Sequence, residues 1–113
     1  MIARLIVILF VILTVSSFAN SFEKWDEGND FYNKKEYQKA LNAYLDVVNS
    51  GEESYELYFN LGNTFYKLKQ YPKAILYFEK ANKIKGNDQD LVHNLSMANN
   101  RIVDQKETLN SDL

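Results

Sequence analysis

The stretch LYFNLGNTFYKLKQYPKAI, residues 57–75, decides how the chain folds, because two helices can be read in it. Apolar residues recur at helical spacing from Leu57 to Phe65. Pro72 lacks an N–H group and suits the first turn of a helix, so a second helix is expected to begin beside it. Gly62 needs a separate reason, since glycine inside a helix costs about 1 kcal/mol relative to alanine.

That reason is a sequence repeat. Gly28 and Gly62 are 34 positions apart, and so are Ala40 and Ala74. Other pairs at this spacing are Asn29 and Asn63, Phe31 and Phe65, Tyr32 and Tyr66, Tyr37 and Tyr71, and Tyr44 and Phe78. A third, shorter copy begins at Gln89. Apolar spacing and turn residues together predict helices at 22–34, 37–49, 54–68, 71–84 and 88–105, and a polar, disordered tail at 107–113.

The composition indicates a folded domain without a catalytic site. Of 113 residues, 46% are hydrophobic and 25% are charged, as in soluble globular proteins. The net charge of −2 provides no basic field, so nucleic acid is not an expected partner. There is no cysteine, and His93 is the one histidine. Neither a metal site nor a cofactor site is therefore predicted, and the chain is not expected to be an enzyme.

The first nineteen residues have the plan of a secretory signal peptide. Arg4 gives a positive start, Leu5–Val15 is almost entirely apolar, and the small residues Ser17 and Ala19 predict cleavage after Ala19. The alternative is an uncleaved membrane anchor, but Leu5–Ala19 is shorter than the roughly 20 residues that a spanning helix needs. We therefore expect an exported, periplasmic or cell-envelope protein that contacts the membrane only if this segment is retained.

In its two units, 21–54 and 55–88, the chain resembles the tetratricopeptide repeat (TPR) family, whose period is also 34 residues. Each unit has Gly at position 8, Phe at 11, Ala at 20 and an aromatic residue at 24. The resemblance implies an all-α, right-handed solenoid of antiparallel helix pairs, with two repeats and a capping helix at 88–105. The two helices of each pair would cross at Gly28 and Ala40, and at Gly62 and Ala74. The residues expected to pack the capping helix on the second repeat are Leu91, Val92, Leu95, Ala98 and Ile102.

The resemblance also implies a protein–protein interaction module in which the first helix of each pair lines a concave groove for a partner protein or peptide. The groove residues expected from the family's contact positions are Trp25, Asn29, Tyr32, Asn33, Phe59, Asn60, Asn63, Tyr66, Lys67, His93, Asn94, Met97 and Arg101. Asparagine amides can both donate to and accept from an extended peptide, and aromatic rings add apolar contact area. The alternative is that the asparagines bond only within the fold.

The family's two-carboxylate clamp for chaperone C-termini is not expected here. Asn29 and Asn60 match that clamp, but Trp25, Asp90 and Asn94 stand where it has basic residues. A ligand with two carboxylate groups would therefore lack the basic residues that bind it.

The second half of the chain is also similar to the periplasmic TPR proteins of bacterial aerotolerance operons (Bat type). The residues that carry this similarity are Asn94, Leu95, Ala98, Arg101, Ile102 and Asp104. Proteins of that type often continue beyond the array, so this chain is expected to be either a short member or a truncated one.

The alternative function is self-association. Phe22 and Trp25 open the array and have no preceding helix to cover them, and an uncovered apolar end can act as a docking surface.

Overall fold

The computed structural model describes the backbone of residues 1–113 and the side chains of residues 1–11 and 20–113. Along this backbone five helices follow one another: α1 (Ile2–Asn33), α2 (Tyr37–Asn49), α3 (Tyr55–Lys67), α4 (Tyr71–Ile84) and α5 (Gln89–Ser111). Helices α1 and α2 form one antiparallel pair, α3 and α4 form the next, and α5 packs on α4 and α3. This arrangement confirms the predicted all-α solenoid of helix pairs.

Helix α1 begins at Ile2, twenty residues before the predicted start of the first repeat helix. Its large apolar side chains from Ile2 to Val11 are all at least half exposed. Among the residues whose side chains are described, no helix meets the length and hydropathy needed to cross a membrane. The predicted cleavage site after Ala19 lies outside the described side chains and stays a prediction.

The turn inside each repeat is a helix C-cap with a left-handed residue. In the second repeat, Lys69 N–H donates to Tyr66 O and Gln70 N–H donates to Phe65 O, each at 2.9 Å. This is the Schellman pattern, which places one residue at positive φ and usually uses glycine there. Lys69 has φ 61°, and so has its counterpart Lys35. Pro72 lies in the first turn of α4, as predicted.

The first helix of the second repeat and the capping helix both start with side-chain caps. Ser54 Oγ accepts from Leu57 N–H at 3.1 Å at the start of α3. Asp88 does the same for α5, because its Oδ1 accepts from Asp90 N–H at 3.0 Å and from Leu91 N–H at 3.2 Å. The hydrogen bond from Leu91 is the main reason that the pKa of Asp88 lies below its usual value.

The glycines lie where the two helices of each pair approach closely. A Cβ atom added to Gly28 would lie 2.6 Å from Cε1 of Tyr44, and one added to Gly62 would lie 2.5 Å from Cε1 of Phe78. Ala40 and Ala74 are fully buried. Each crossing is therefore filled by the aromatic ring at position 24 of the repeat, which packs directly on the glycine backbone. This close approach is the reason for the glycine inside α3.

Helix α5 closes the core with a narrower face than predicted. Leu91 and Ala98 are fully buried, and Leu95 and Ile102 are half-buried. Val92 is 56% exposed, so its predicted packing on the second repeat is wrong. It follows Leu91 directly, and the next residue on a helix points about 100° away from the buried stripe.

The C-terminal residues also differ from the prediction. The expected disordered tail began at 107, but α5 continues to Ser111. Its last turns are bonded internally, since Thr108 Oγ1 donates to Asp104 O at 2.9 Å and Ser111 Oγ donates to Thr108 O at 2.8 Å.

Candidate binding groove

A cleft lies across the first helices of the array. It has a volume of about 240 Å³ and is open to solvent. Its lining comes from α1, α3 and α5 and consists of Tyr32, Asn63, Tyr66, Lys67, Asn94 and Met97. We call it the central cleft. All six residues are among the thirteen that the sequence placed in the groove, so the structure brings nearly half of that set together.

Two asparagine pairs join the first helices to one another. Asn60 Nδ2 donates to Asn29 Oδ1 at 3.3 Å, which ties α3 to α1. Asn94 Nδ2 donates to Asn63 Oδ1 at 2.8 Å, which ties α5 to α3. We call these two bonds the asparagine rungs. They show that the asparagines do bond within the fold, which was the alternative to ligand binding.

The second rung still leaves hydrogen-bonding capacity in the central cleft. A primary amide has two donor hydrogens and an acceptor oxygen. The rung uses Asn63 Oδ1 and one hydrogen of Asn94. Asn63 Nδ2 and Asn94 Oδ1 have no partner among the described residues, and both asparagines line the cleft. Both amide nitrogens can therefore still donate to a ligand and Asn94 Oδ1 can still accept, while the rung holds the two side chains in place.

Two tyrosines at equivalent repeat positions form a second wall. Tyr32 packs edge-on against Tyr37, and Tyr66 packs edge-on against Tyr71, each with ring centroids 5.3 Å apart. The repeat turns fix both rings, because each partner is the first residue of the next helix. Burial raises the pKa of Tyr32 above its ordinary value, so its hydroxyl stays neutral near neutral pH.

Arg101 approaches this wall from α5. Its Nε donates to the hydroxyl oxygen of Tyr66 at 3.3 Å, and this bond is the main reason that the pKa of Arg101 is raised. Arg101 also borders a separate open cleft of about 450 Å³, with Tyr71, Asp104, Gln105, Thr108 and Leu109. The side chain therefore lies at the boundary between the two clefts.

Two predicted groove residues contribute mainly to packing. The ring of Trp25 lies 5.5 Å from that of Tyr44, measured between centroids. Phe59 stacks on Tyr55 at 5.7 Å with an angle of 14° between the rings. Both side chains are half-buried and pack against the core. Both residues lie on first helices of the repeats, but neither borders the central cleft.

Two further predicted residues lie away from the central cleft. Asn33 is exposed at the last position of α1. His93 is exposed beside another open cleft of about 540 Å³, which it shares with Asn87, Gln89, Val92 and Ser96 near the start of α5. The structure does not bring either residue to the cleft.

Sequence reasoning missed the part that Tyr44 plays. We expected this residue in the core, and its ring is 1% exposed. Its hydroxyl, however, donates to Asn29 Oδ1 at 2.7 Å and so joins the first rung. Burial is the main cause that raises the pKa of Tyr44 to about 12. The available signal was the repeat itself, because the counterpart of Tyr44 is Phe78, which has no hydroxyl.

The cleft carries groups for recognition. In the part of the chain with described side chains, no three His, Cys, Asp or Glu residues form a group that could hold a metal ion. What the cleft presents is an amide donor, an amide acceptor, two tyrosine rings, a thioether and a lysine. Such a set can bond a peptide backbone and cover an apolar side chain.

Comparison with known proteins agrees with this geometry. Residues 55–88 match the family model described as tetratricopeptide repeat. This match supports the TPR family. It spans α3 and α4, and α3 provides Asn63, Tyr66 and Lys67 of the central cleft. No curated protein matches the chain. TPR repeats generally mediate protein–protein interactions, and they are typically not catalytic.

Proposed function

We propose that this chain is a non-catalytic adaptor of the bacterial cell envelope that holds an extended segment of a partner protein in its concave groove. The observation that carries the proposal is the central cleft, which spans three successive first helices and offers Asn63 Nδ2 and Asn94 Oδ1 beside aromatic rings. An extended peptide has alternating N–H and C=O groups, so its backbone can bond both to an amide acceptor and to an amide donor.

The asparagine rungs change how the proposal is best tested. Replacing Asn60 and Asn63 by alanine would remove both rungs as well as any ligand contact. Each half-buried bond contributes about 0.5–1.5 kcal/mol, so the double variant is expected to melt earlier than the parent chain. Loss of a partner would then have two explanations.

Met97 offers a cleaner test. Its side chain borders the central cleft and is 37% exposed, so a charged replacement need not disturb the core. We expect Met97→Glu to lose the partners that the parent chain captures from envelope extracts, with unchanged helicity and melting temperature. The matched control is Val103→Glu on the same helix, because Val103 is 53% exposed and borders none of the three clefts described above. Equal capture by the parent and Met97→Glu would show that the groove is not the site.

Export is the part of the proposal that rests on the N-terminal sequence alone. The apolar run with small residues before position 20 supports a cleaved signal. The similarity to the Bat-type periplasmic proteins supports the same compartment and stays a prediction. Mass spectrometry of the chain recovered from an envelope fraction decides the point, because a mature N-terminus at Asn20 is expected and an intact Met1 would contradict it.

Self-association is the second candidate, and one observation favours it. Phe22 is 69% exposed at the start of the array. Trp25, the other residue proposed for this contact, packs on Tyr44 instead. The test is therefore Phe22→Ser in sedimentation experiments over a range of concentrations. Self-association predicts that the parent chain sediments faster with rising concentration and that the variant does not. A parent chain that stays monomeric would contradict it.

A further inference from the structure

The charges around the central cleft are divided between its two sides. The first helices run in the same direction, because the cross-helix bonds of α3 to α5 advance together, from Asn63 with Asn94 to Tyr66 with Arg101. The beginnings of α3 and α5 therefore lie at one rim of the groove, and the ends of α1 and α3 lie at the other. Glu56 lies in the first turn of α3 and Asp90 in the first turn of α5.

The opposite rim is basic, and the cleft lies next to it. Lys67 is the last residue of α3 and borders the cleft. Arg101 contacts the hydroxyl of Tyr66, another lining residue. Neither Asp nor Glu is among the lining residues. The cleft therefore has Lys67 in its lining and Arg101 beside it, and its other lining residues are neutral.

Neither of these two cations forms an ion pair with a residue whose side chain is described. Among the described side chains, the ion pairs are Lys24 with Glu27, Lys39 with Glu36, and Lys85 with Asp88. Arg101 directs its Nε to a neutral phenol, and Asp104 contributes only the smallest of the effects on its pKa. Lys67 also suits the negative end of α3, but this explains its sign and not its position beside a cleft.

We propose that the central cleft receives a peptide carboxylate that is followed by an apolar side chain. The carboxylate, from an Asp or Glu of the partner, lies between Lys67 and the outer guanidinium nitrogens of Arg101. The apolar side chain packs on Met97 and Tyr32. The peptide backbone bonds to the free amide atoms of Asn63 and Asn94. This inference rests on the proposed function and adds the chemical class of its ligand.

The proposed carboxylate site lies on the side of the groove opposite the beginnings of α3 and α5. Asp26, Glu56 and Asp90 lie toward that rim and would repel a carboxylate there. The polarity of the groove therefore sets the side on which an acidic residue of the ligand must lie. Exposed charge pairs contribute little each, so the charge is expected to select among ligands and the neutral contacts to supply most of the affinity.

The test uses three peptides that are acetylated and amidated, so that one side chain carries the only charge. The probes are Gly-Ser-Glu-Leu-Ser-Gly and its Gln and Lys versions at the third position. They are titrated into the ¹⁵N-labelled full chain, and the side-chain amide signals of Asn63 and Asn94 are followed by NMR. The Glu peptide is expected to bind about fivefold more tightly than the Gln peptide, which corresponds to the upper value for an exposed pair, and the Lys peptide most weakly.

Two variants identify the source of the preference. Lys67→Gln combined with Arg101→Gln is expected to make the Glu and Gln peptides bind equally. Lys83→Gln, on the exposed surface of α4, is the control and should keep the fivefold difference. Added salt should weaken binding of the Glu peptide and leave the Gln peptide unchanged.

Equal binding of the Glu and Gln peptides to the parent chain would overturn the inference, and so would a preference for Lys. Absence of any shift at Asn63 and Asn94 with all three peptides would overturn it as well. The capture experiment with Met97→Glu is independent of these peptides. A failed charge preference can therefore be told apart from a failed groove.

Discussion

Replacing Gly62 by alanine tests the packing at the centre of the second repeat. The added Cβ would lie 2.5 Å from Cε1 and 2.9 Å from Cγ of Phe78, whose side chain is fully buried. The ring cannot move into solvent, so the strain is expected in the upper part of the usual range for overpacking, about 2–3 kcal/mol. The higher helix propensity of alanine offsets about 1 kcal/mol of this strain. The expected net loss is about 1–2 kcal/mol.

The measurement is urea unfolding followed by circular dichroism, with thermal melting as a second readout. A loss of this size corresponds to a melting temperature lower by about 4–16 °C for a domain of this length. Gly86→Ala is the matched control, because a Cβ there meets its nearest neighbour, the backbone oxygen of Asn82, at an ordinary 3.7 Å. We expect that variant to stay within about 0.5 kcal/mol of the parent chain.

A double-mutant cycle separates a steric clash from other causes. Phe78→Leu removes the ring that the new methyl group would meet, so Gly62→Ala should cost much less in that background. The coupling between the two sites is expected to be at least about 1 kcal/mol. If Gly62→Ala is as stable as Gly86→Ala, or if its cost is the same with Leu at position 78, the crossing is not what requires glycine.

Two further predictions concern the repeat turn and the first asparagine rung. Lys69→Gly is expected to raise stability by about 1 kcal/mol, because Lys69 has φ 61° and glycine adopts this conformation without steric cost; lower stability in urea unfolding would contradict this. Tyr44→Phe is expected to cost about 1 kcal/mol at pH 7, because the hydroxyl no longer donates to Asn29. The pKa of Tyr44 is raised to about 12 in the fold, so the contribution of its protonated hydroxyl is complete below about pH 10 and is lost as the pH rises through 12. The stability gap between parent and variant should therefore narrow over that interval, and a constant gap would refute the assignment.

The helices were predictable because the same pattern of apolar and turn residues occurs in both repeats. The bounds of α2 and α4 agree with the predicted ones, and those of α3 differ by one residue at each end. The prediction was weaker for α5, because the third copy of the repeat pattern is shorter and offers fewer positions to compare with the other two. There, the apolar character of Val92 suggested burial, but the helix has a buried face too narrow to include it.

The candidate site was predictable in its location and not in its internal bonds. Family positions placed Asn63, Tyr66 and Met97 on one surface, and the structure brings them to one cleft. The sequence contains no distance between helices, so it could not tell that Asn94 reaches Asn63 at 2.8 Å. For the same reason, the sequence could not predict the bond from Arg101 to Tyr66, which joins residues 35 positions apart.

The order of packing along the array has a consequence for how the molecule folds and opens. Each helix packs on the helices next to it in the chain, so contacts close short loops and the relative contact order is low. Such a chain is expected to fold quickly and to open locally from its ends, in the manner of a one-dimensional array. Helix α5 packs on α4 and α3, and the central cleft needs α1, α3 and α5 together. The cleft is therefore lost whenever α5 detaches, and a peptide that binds there would hold α5 on the second repeat.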